Sequence, residues 1–294
     1  MTAAGQANGA SLRVAGAMRT DVGRVRSLNE DTVVFVAPAE HDPEAGRGML
    51  ALVADGMGGH AAGEVASALA AEVVRRVYFS LDKSPPEALR AAFDAANRAI
   101  LDYAAKHPDC AGMGTTCTAI AVRDECLWLA HVGDSRAYIL RDGELTQLSE
   151  DQTLHAQLVR DGVLTAEEAE RSPGGNVILQ ALGTRQEIAP ALSSEGLRLR
   201  VGDRFILCSD GLSNLASDAE IADIVSRHSP SEACGALIDA ALAAGGYDNI
   251  SVGVFAIERA APKHSSGQAA TQRITIADPP TGAPTVKIEA IAEG

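Results

Sequence analysis

Aromatic side chains are scarce in this 294-residue chain: one Trp, four Tyr and five Phe, 3% of the residues. A core must therefore come from Ala, Val, Leu and Ile. The 46% hydrophobic content supplies them and argues against global disorder. Cation clusters are also missing. Lys and Arg number 25 against 39 Asp and Glu, a net charge of −14. That balance argues against nucleic acid or an anionic membrane as partner, since both require clustered Lys and Arg. Cysteine is confined to Cys110, Cys117, Cys126, Cys208 and Cys234, an odd number with no Cys-x-x-Cys pair. Neither a disulfide framework nor a zinc site is indicated, and the thiols in apolar runs read as buried and free. No run of about 18 apolar residues occurs, so no membrane span is expected. Residues 1–11 lack the basic start and apolar run of a signal peptide, so the expected location is the cytoplasm.

What is present centres on residues 50–64. A short apolar run, residues 50–54, reads as a buried strand that stops at Asp55. Gly56, Gly58, Gly59 and Gly63 follow, and Val65, Leu69, Val73 and Val77 mark one face of a helix. A buried strand that delivers a carboxylate into a glycine-rich turn can hold a metal, because glycines let carbonyls and water approach. The plainer alternative is an Asp that caps a strand-to-helix turn.

The rest of the chain supplies context. Residues 12–19 form a candidate strand, and residues 32–36 a second, preceded by Glu30 and Asp31. Ser84 with Glu87 opens a helix buried through Leu89, Phe93, Ala96 and Ile100. Residues 112–148 read as β-rich, with Asp142 and Gly143 as a two-residue hairpin turn. Residues 152–182 read as short helices broken by glycines, a candidate mobile flap. Residues 198–208 read as a strand ending at Ser209, Asp210 and Gly211. Two capped helices then lead to Asp248, Asn249 and a closing strand, residues 250–257. Residues 1–11 and 260–294 read as loose polar tails around a domain spanning residues 12–259.

Glu30 with Asp31, Asp55, Asp210 and Asp248 share one placement. Each stands beside a buried strand and a turn. Carboxylates that converge from distant parts of a chain need compensation, and no Lys or Arg cluster offers it. All-oxygen ligands without His or Cys favour Mg2+ or Mn2+. Two such ions about 3.5–4 Å apart can activate water for an in-line phosphoryl displacement.

Six motifs occur in order: Arg26 with Asn29, Glu30 and Asp31; Asp55 through Gly59; Gly112 through Thr116; Gly133 through Arg136; Ser209 through Gly211; and Asp248 with Asn249. Together they resemble the bacterial form of the metal-dependent Ser/Thr protein phosphatases of the PP2C (PPM) type. The resemblance implies an α+β fold, a four-layer α-β-β-α sandwich with the metal site at one end of the sheets. It also implies phosphoserine and phosphothreonine hydrolysis by metal-activated water, with Mn2+ or Mg2+ as cofactor. By the same resemblance, Asp55 bridges two ions and the Gly56 carbonyl binds one of them. Asp210 and Asp248 complete the first ion, Glu30 serves the second and Asp31 stands behind them. Arg26 grips the phosphate. Asp134 matches the position tied to a third, weaker ion, giving Arg26, Asp55 and Asp134 as the catalytic set. A local Asp134–Arg136 pair is the plainer reading of that turn. Animal members carry His where this chain has Met57, which leaves the general acid unassigned; His60 is an alternative or a simple loop residue.

The implied partners are phosphorylated proteins, substrates of a Ser/Thr kinase, met by a monomer without nucleic acid or membrane. Two other readings stand beside this one. The first is a PP2C-fold regulator that binds phosphoproteins without turnover, which the retention of Asp55, Asp210 and Asp248 opposes. The second is a hydrolase of small phosphoesters.

Overall fold

The structure, a computed structural model, describes residues 12–39, 42–58, 62–172, 174 and 177–260. The expected tail at residues 1–11, the tail beyond Ala260, and His60 lie outside the described residues. The strands are β1 (Leu12–Asp21), β2 (Asp31–Val36), β3 (Met49–Met57), β4 (Gly114–Thr115), β5 (Cys117–Arg123), β6 (Cys126–Val132), β7 (Arg136–Arg141), β8 (Glu144–Gln147), β9 (Ala191–Leu192), β10 (Leu197–Arg198), β11 (Arg204–Cys208) and β12 (Ile250–Arg259). The helices are α1 (Ala62–Ser80), α2 (Pro85–Lys106), α3 (Leu154–Arg160), α4 (Ala166–Arg171), α5 (Asp210–Ser213), α6 (Asp218–Arg227) and α7 (Pro230–Ala243).

Two antiparallel sheets result. One runs β1-β12-β11-β7-β8; the other runs β10-β6-β5-β3-β2, with β4 on β3 and β9 on β6. Alternation along β3 shows why its sequence is apolar without a break. Leu50, Leu52 and Ala54 face α1 and α2. Met49, Ala51 and Val53 face the other sheet, against Ala137, Ile139, Phe205 and Leu207. A strand covered on both faces reads as a continuous apolar run. The outer face of the first sheet, Ile206, Val252 and Val254, packs under α6 and α7. The layers are therefore helix, sheet, sheet, helix. Between the sheets, Phe255 stacks on Phe205 at 4.7 Å and meets the edge of Phe35 at 5.0 Å.

Local sequence signals account for much of the outline. Glu168, Glu220 and Glu232 each complete a capping box with Thr165, Ser217 or Ser229. Asp142 and Gly143 both take positive φ, 53° and 85°, as a tight two-residue hairpin between β7 and β8 requires.

Three expectations need correction. β3 does not stop at Asp55 but continues through Met57, because Gly56 and Met57 pair with β4. The buried face of α1 is Ala62, Ala66, Ala70, Val73 and Val74, while Val65, Leu69 and Val77 are only partly buried. Alanines let this helix lie close to its sheet, and the larger residues flank that contact. The expected strand over residues 198–208 is two strands, β10 and β11, separated by a turn at Val201 and Gly202.

The registers bring several strand ends together. Asp31 lies opposite Asp55, Asp21 opposite Ile250, Cys208 opposite both Arg136 and Val252, and Cys117 opposite Val132. Among the described residues no helix is long and apolar enough to cross a membrane.

Candidate metal centre

Asp55 is held by its backbone. Its N–H donates to Thr116 Oγ1 at 3.0 Å, and its carbonyl accepts from the Thr116 N–H and the Thr115 hydroxyl, each at 2.9 Å. The Thr116 hydroxyl in turn meets Ser135 Oγ at 2.8 Å. The Gly-Thr-Thr and Gly-Asp-Ser-Arg motifs thus clamp one strand end. Gly56 admits no side chain: a Cβ there would sit 2.1 Å from the Gly63 carbonyl oxygen and 2.6 Å from that of Glu30. This close approach brings Glu30 beside the start of α1.

The opposing strand position gives Asp31, which is 8% exposed. Directly paired residues of antiparallel strands share a face, so two carboxylates meet there. The Ser209 hydroxyl donates to Asp31 Oδ2 at 2.8 Å. Asn214 Nδ2 donates to Asp210 Oδ2 at 3.1 Å. Asp134 is 7% exposed and borders a cavity of about 1040 Å3 shared with Asp210 and with His155, Val159 and Arg160 of the flap segment.

Charge is poorly compensated in this cluster. Burial, then Asp31, Asp210 and Asp134, hold the Asp55 carboxyl well above the usual range. Burial pushes Asp134 up to about 7, with Asp210 and Asp151 adding to the shift. Asp31 and Asp210 are also raised, chiefly by burial, with neighbouring carboxylates contributing and hydroxyl or amide donors opposing. Glu30 is raised by burial, against the pull of Arg26. Three buried side-chain atoms among the described residues lack a hydrogen-bond partner: Glu30 Oε1, Asp31 Oδ1 and Asp210 Oδ1. All three belong to this cluster. Buried orphan oxygens on crowded carboxylates fit divalent cations. Among the described residues no three Asp, Glu, His or Cys side chains close on one point, so side chains alone do not complete a site. Hard cations commonly complete a shell with backbone carbonyls and water.

Two local expectations change. A cation does reach the cluster: Arg26 donates to Asp248 Oδ2 at 2.8 Å, so Arg26 engages a carboxylate expected to bind metal. The Asp134–Arg136 pair does not form as the local link. Arg136 instead grips Asp151 with two nitrogens, at 3.0 and 2.7 Å. Asp134 is thereby left facing the cavity.

Asn249 was given no role by sequence reasoning, yet it organises the site. Its Oδ1 accepts from the Glu30 N–H at 2.8 Å, and its Nδ2 donates to the carbonyls of Val22 and Leu28, each at 2.9 Å. A polar side chain directly before a buried strand was the available signal. Ser209 is similar, since its hydroxyl also accepts from the Ser251 N–H at 3.0 Å.

A four-layer sandwich with a carboxylate cluster at one end of its sheets defines a class, and comparison with known proteins agrees. Residues 25–242 match the family described as protein phosphatase 2C. The serine/threonine protein phosphatase PstP of Mycobacterium tuberculosis is 45% identical over 240 residues, covering 80% of this chain and 43% of that protein. The chain thus spans under half the length of that relative. The serine/threonine phosphatase stp of Listeria welshimeri is 36% identical, covering 80% of this chain and 92% of the relative. The solved catalytic domain of PstP in complex with two manganese ions superposes with a TM-score of 0.73 at 41% identity. That match covers 84% of this chain and all of the solved one. The chain belongs to the protein phosphatase 2C family.

Proposed function

We propose that this chain is a metal-dependent protein phosphatase that hydrolyses phosphoserine and phosphothreonine in proteins. The observation that carries the reading is the set of orphan oxygens on Glu30, Asp31 and Asp210 within a mutually raised carboxylate cluster. Asp55, Asp210, Asp248, Glu30 and the Gly56 carbonyl would hold two ions, Mn2+ or Mg2+, with Asp31 behind them. Asp134 with Asp210 would hold a third. Bound there, such ions lower the pKa of water and neutralise charge on a transferring phosphoryl group.

The chain's own residues do the rest. The Asp55 backbone clamp fixes that carboxylate before substrate arrives, so little reorganisation is needed during reaction. Arg26, exposed at the cleft, can leave Asp248 for the substrate phosphate, a planar fork suited to that anion. Ser209 and Asn249 hold Asp31 and the Glu30 backbone in place. Met57 cannot carry a proton, so protonation of the leaving oxygen falls to another donor. The catalytic unit is residues 12–259, a monomer of the cytoplasm that opposes a Ser/Thr kinase, with residues 152–182 as flap.

The test uses the full chain and a phosphothreonine peptide. Chelation should abolish phosphate release, and Mn2+ or Mg2+ should restore it. Calorimetric titration with Mn2+ should show at least two sites. Full turnover in thoroughly metal-stripped protein would sink the reading.

A further inference from the structure

Among the described residues eight large apolar side chains are exposed: Val22, Val25, Leu28, Leu154, Val163, Val177, Val201 and Tyr247. Four of the eight, Val22, Val25, Leu28 and Tyr247, belong to two loop segments joined around Arg26 and its partner Asp248. Val25 is 69% exposed, Tyr247 58% and Leu28 47%. Scattered exposed apolar residues are ordinary on a protein surface; a concentration beside a charged site is not.

The two segments form one rim. The Arg24 N–H donates to the Gly246 carbonyl at 2.7 Å. Gly23, at φ 77°, lies against the backbone of Asp248, where a Cβ would sit 2.2 Å from the carbonyl oxygen. Asn249 ties down the carbonyls of Val22 and Leu28 from beneath. Tyr247 is also restrained, its hydroxyl donating to the Ala244 carbonyl at 3.1 Å. These apolar groups are therefore presented on a braced frame, with Arg26 in the middle of the Val22–Leu28 segment. A frame ordered in advance binds at lower entropic cost than a loose loop.

We propose that this rim is a substrate-docking strip that selects phosphopeptides with apolar residues beside the phosphorylated Ser or Thr. The proposal rests on the phosphatase reading of the adjacent site. Its occupant follows from continuity: with a phosphate on Arg26, the neighbouring peptide residues would reach the segment that carries Val25 and Leu28 and the Tyr247 turn bonded to it through Arg24 and Gly246. Covering those side chains removes apolar surface from water on both partners.

Two phosphothreonine peptides test it, identical except that Val and Leu flank the phosphoresidue in one and Ser and Gly in the other. The full chain in Mn2+ should show kcat/KM about tenfold higher for the apolar peptide, mostly through KM, the scale of a few buried methylenes. The double variant Val25→Ser with Leu28→Ser, and separately Tyr247→Ser, should bring that ratio towards one. Their melting temperatures should match the parent, because these side chains are exposed. Equal rates on both peptides, or a ratio that survives the substitutions, would overturn the docking strip alone. No phosphate release from either peptide would overturn the phosphatase reading itself, and the strip with it.

Discussion

Two aspartates bracket strand β11, and their surroundings are opposite. Asp203, 3% exposed, precedes the strand. Arg141 grips both of its oxygens, at 2.8 and 2.6 Å, and the Arg200 N–H adds a bond at 2.7 Å. Asp210 follows the strand. One of its oxygens has no partner, and its nearest charged neighbours include Asp55 and Asp248. A buried carboxylate paired with a guanidinium holds a fold together. A buried carboxylate among carboxylates tends to protonate or to take up a cation. The two ends of one strand thus separate a structural charge from a reactive one.

The largest expected effects divide along this line. Asp55→Asn should lower metal-dependent turnover by about 10³-fold or more, the scale of losing a principal electrostatic contributor at a reaction centre. Its metal-free melting temperature should stay level or rise, because one repelling carboxylate is gone. Asp203→Asn should behave in reverse. Loss of the buried pair should cost about 3 kcal/mol of stability, while turnover of the folded fraction stays within about twofold. Urea melts and phosphopeptide kinetics on both variants check the contrast. A stable, active Asp203→Asn together with an unfolded Asp55→Asn would reverse it.

Arg26 tests the same comparison with a cation that is shared rather than fixed. Arg141 is locked to Asp203, whereas Arg26 has one bond to Asp248 and is itself exposed. If Arg26 holds phosphate in both ground and transition states, Arg26→Ala should raise KM about tenfold and lower kcat by less. An unchanged KM for a phosphopeptide would remove it from that role.

The contrast was only partly legible in the sequence. The strands, the capped helices and the carboxylates at strand ends carry local signals: an apolar run ending in Asp, or Ser with Glu three residues on. The partners of those carboxylates carry none. Asp203 and Asp210 look alike beside one apolar run, and only the fold brings Arg141 to the first and Asp55 to the second. On α1 the large residues dominate a periodicity count and point to Val65, Leu69, Val73 and Val77, while Ala66 and Ala70 make the close contact with the sheet. The Arg26–Asp248 bond spans 222 positions and could not be read from spacing. Asn249 sits in a recognisable motif, but its three bonds to the Val22–Glu30 segment appear only in three dimensions.

The smallest expected effect concerns pH. Asp134 sits near 7 in the folded chain, against 3.8 for an ordinary Asp, because it is buried near Asp210 and Asp151. Between those values the folded state holds a proton that the unfolded state has released. Stability must then fall as pH rises through this window. The contribution is fully present below about pH 4 and is lost as pH passes about 7. Asp31, Asp55 and Asp210 are shifted in the same direction. Metal-stripped protein should therefore melt several degrees higher at pH 5.5 than at pH 8. Mn2+ should raise the melting temperature more at pH 8, because the cations replace protons that the cluster has lost and bind only the folded chain. Asp134→Asn removes one of these groups and should shallow the pH slope without abolishing it. A metal-free melting temperature that climbs from pH 5.5 to pH 8 would mean the cluster is already compensated, and Asp210 would then belong with Asp203.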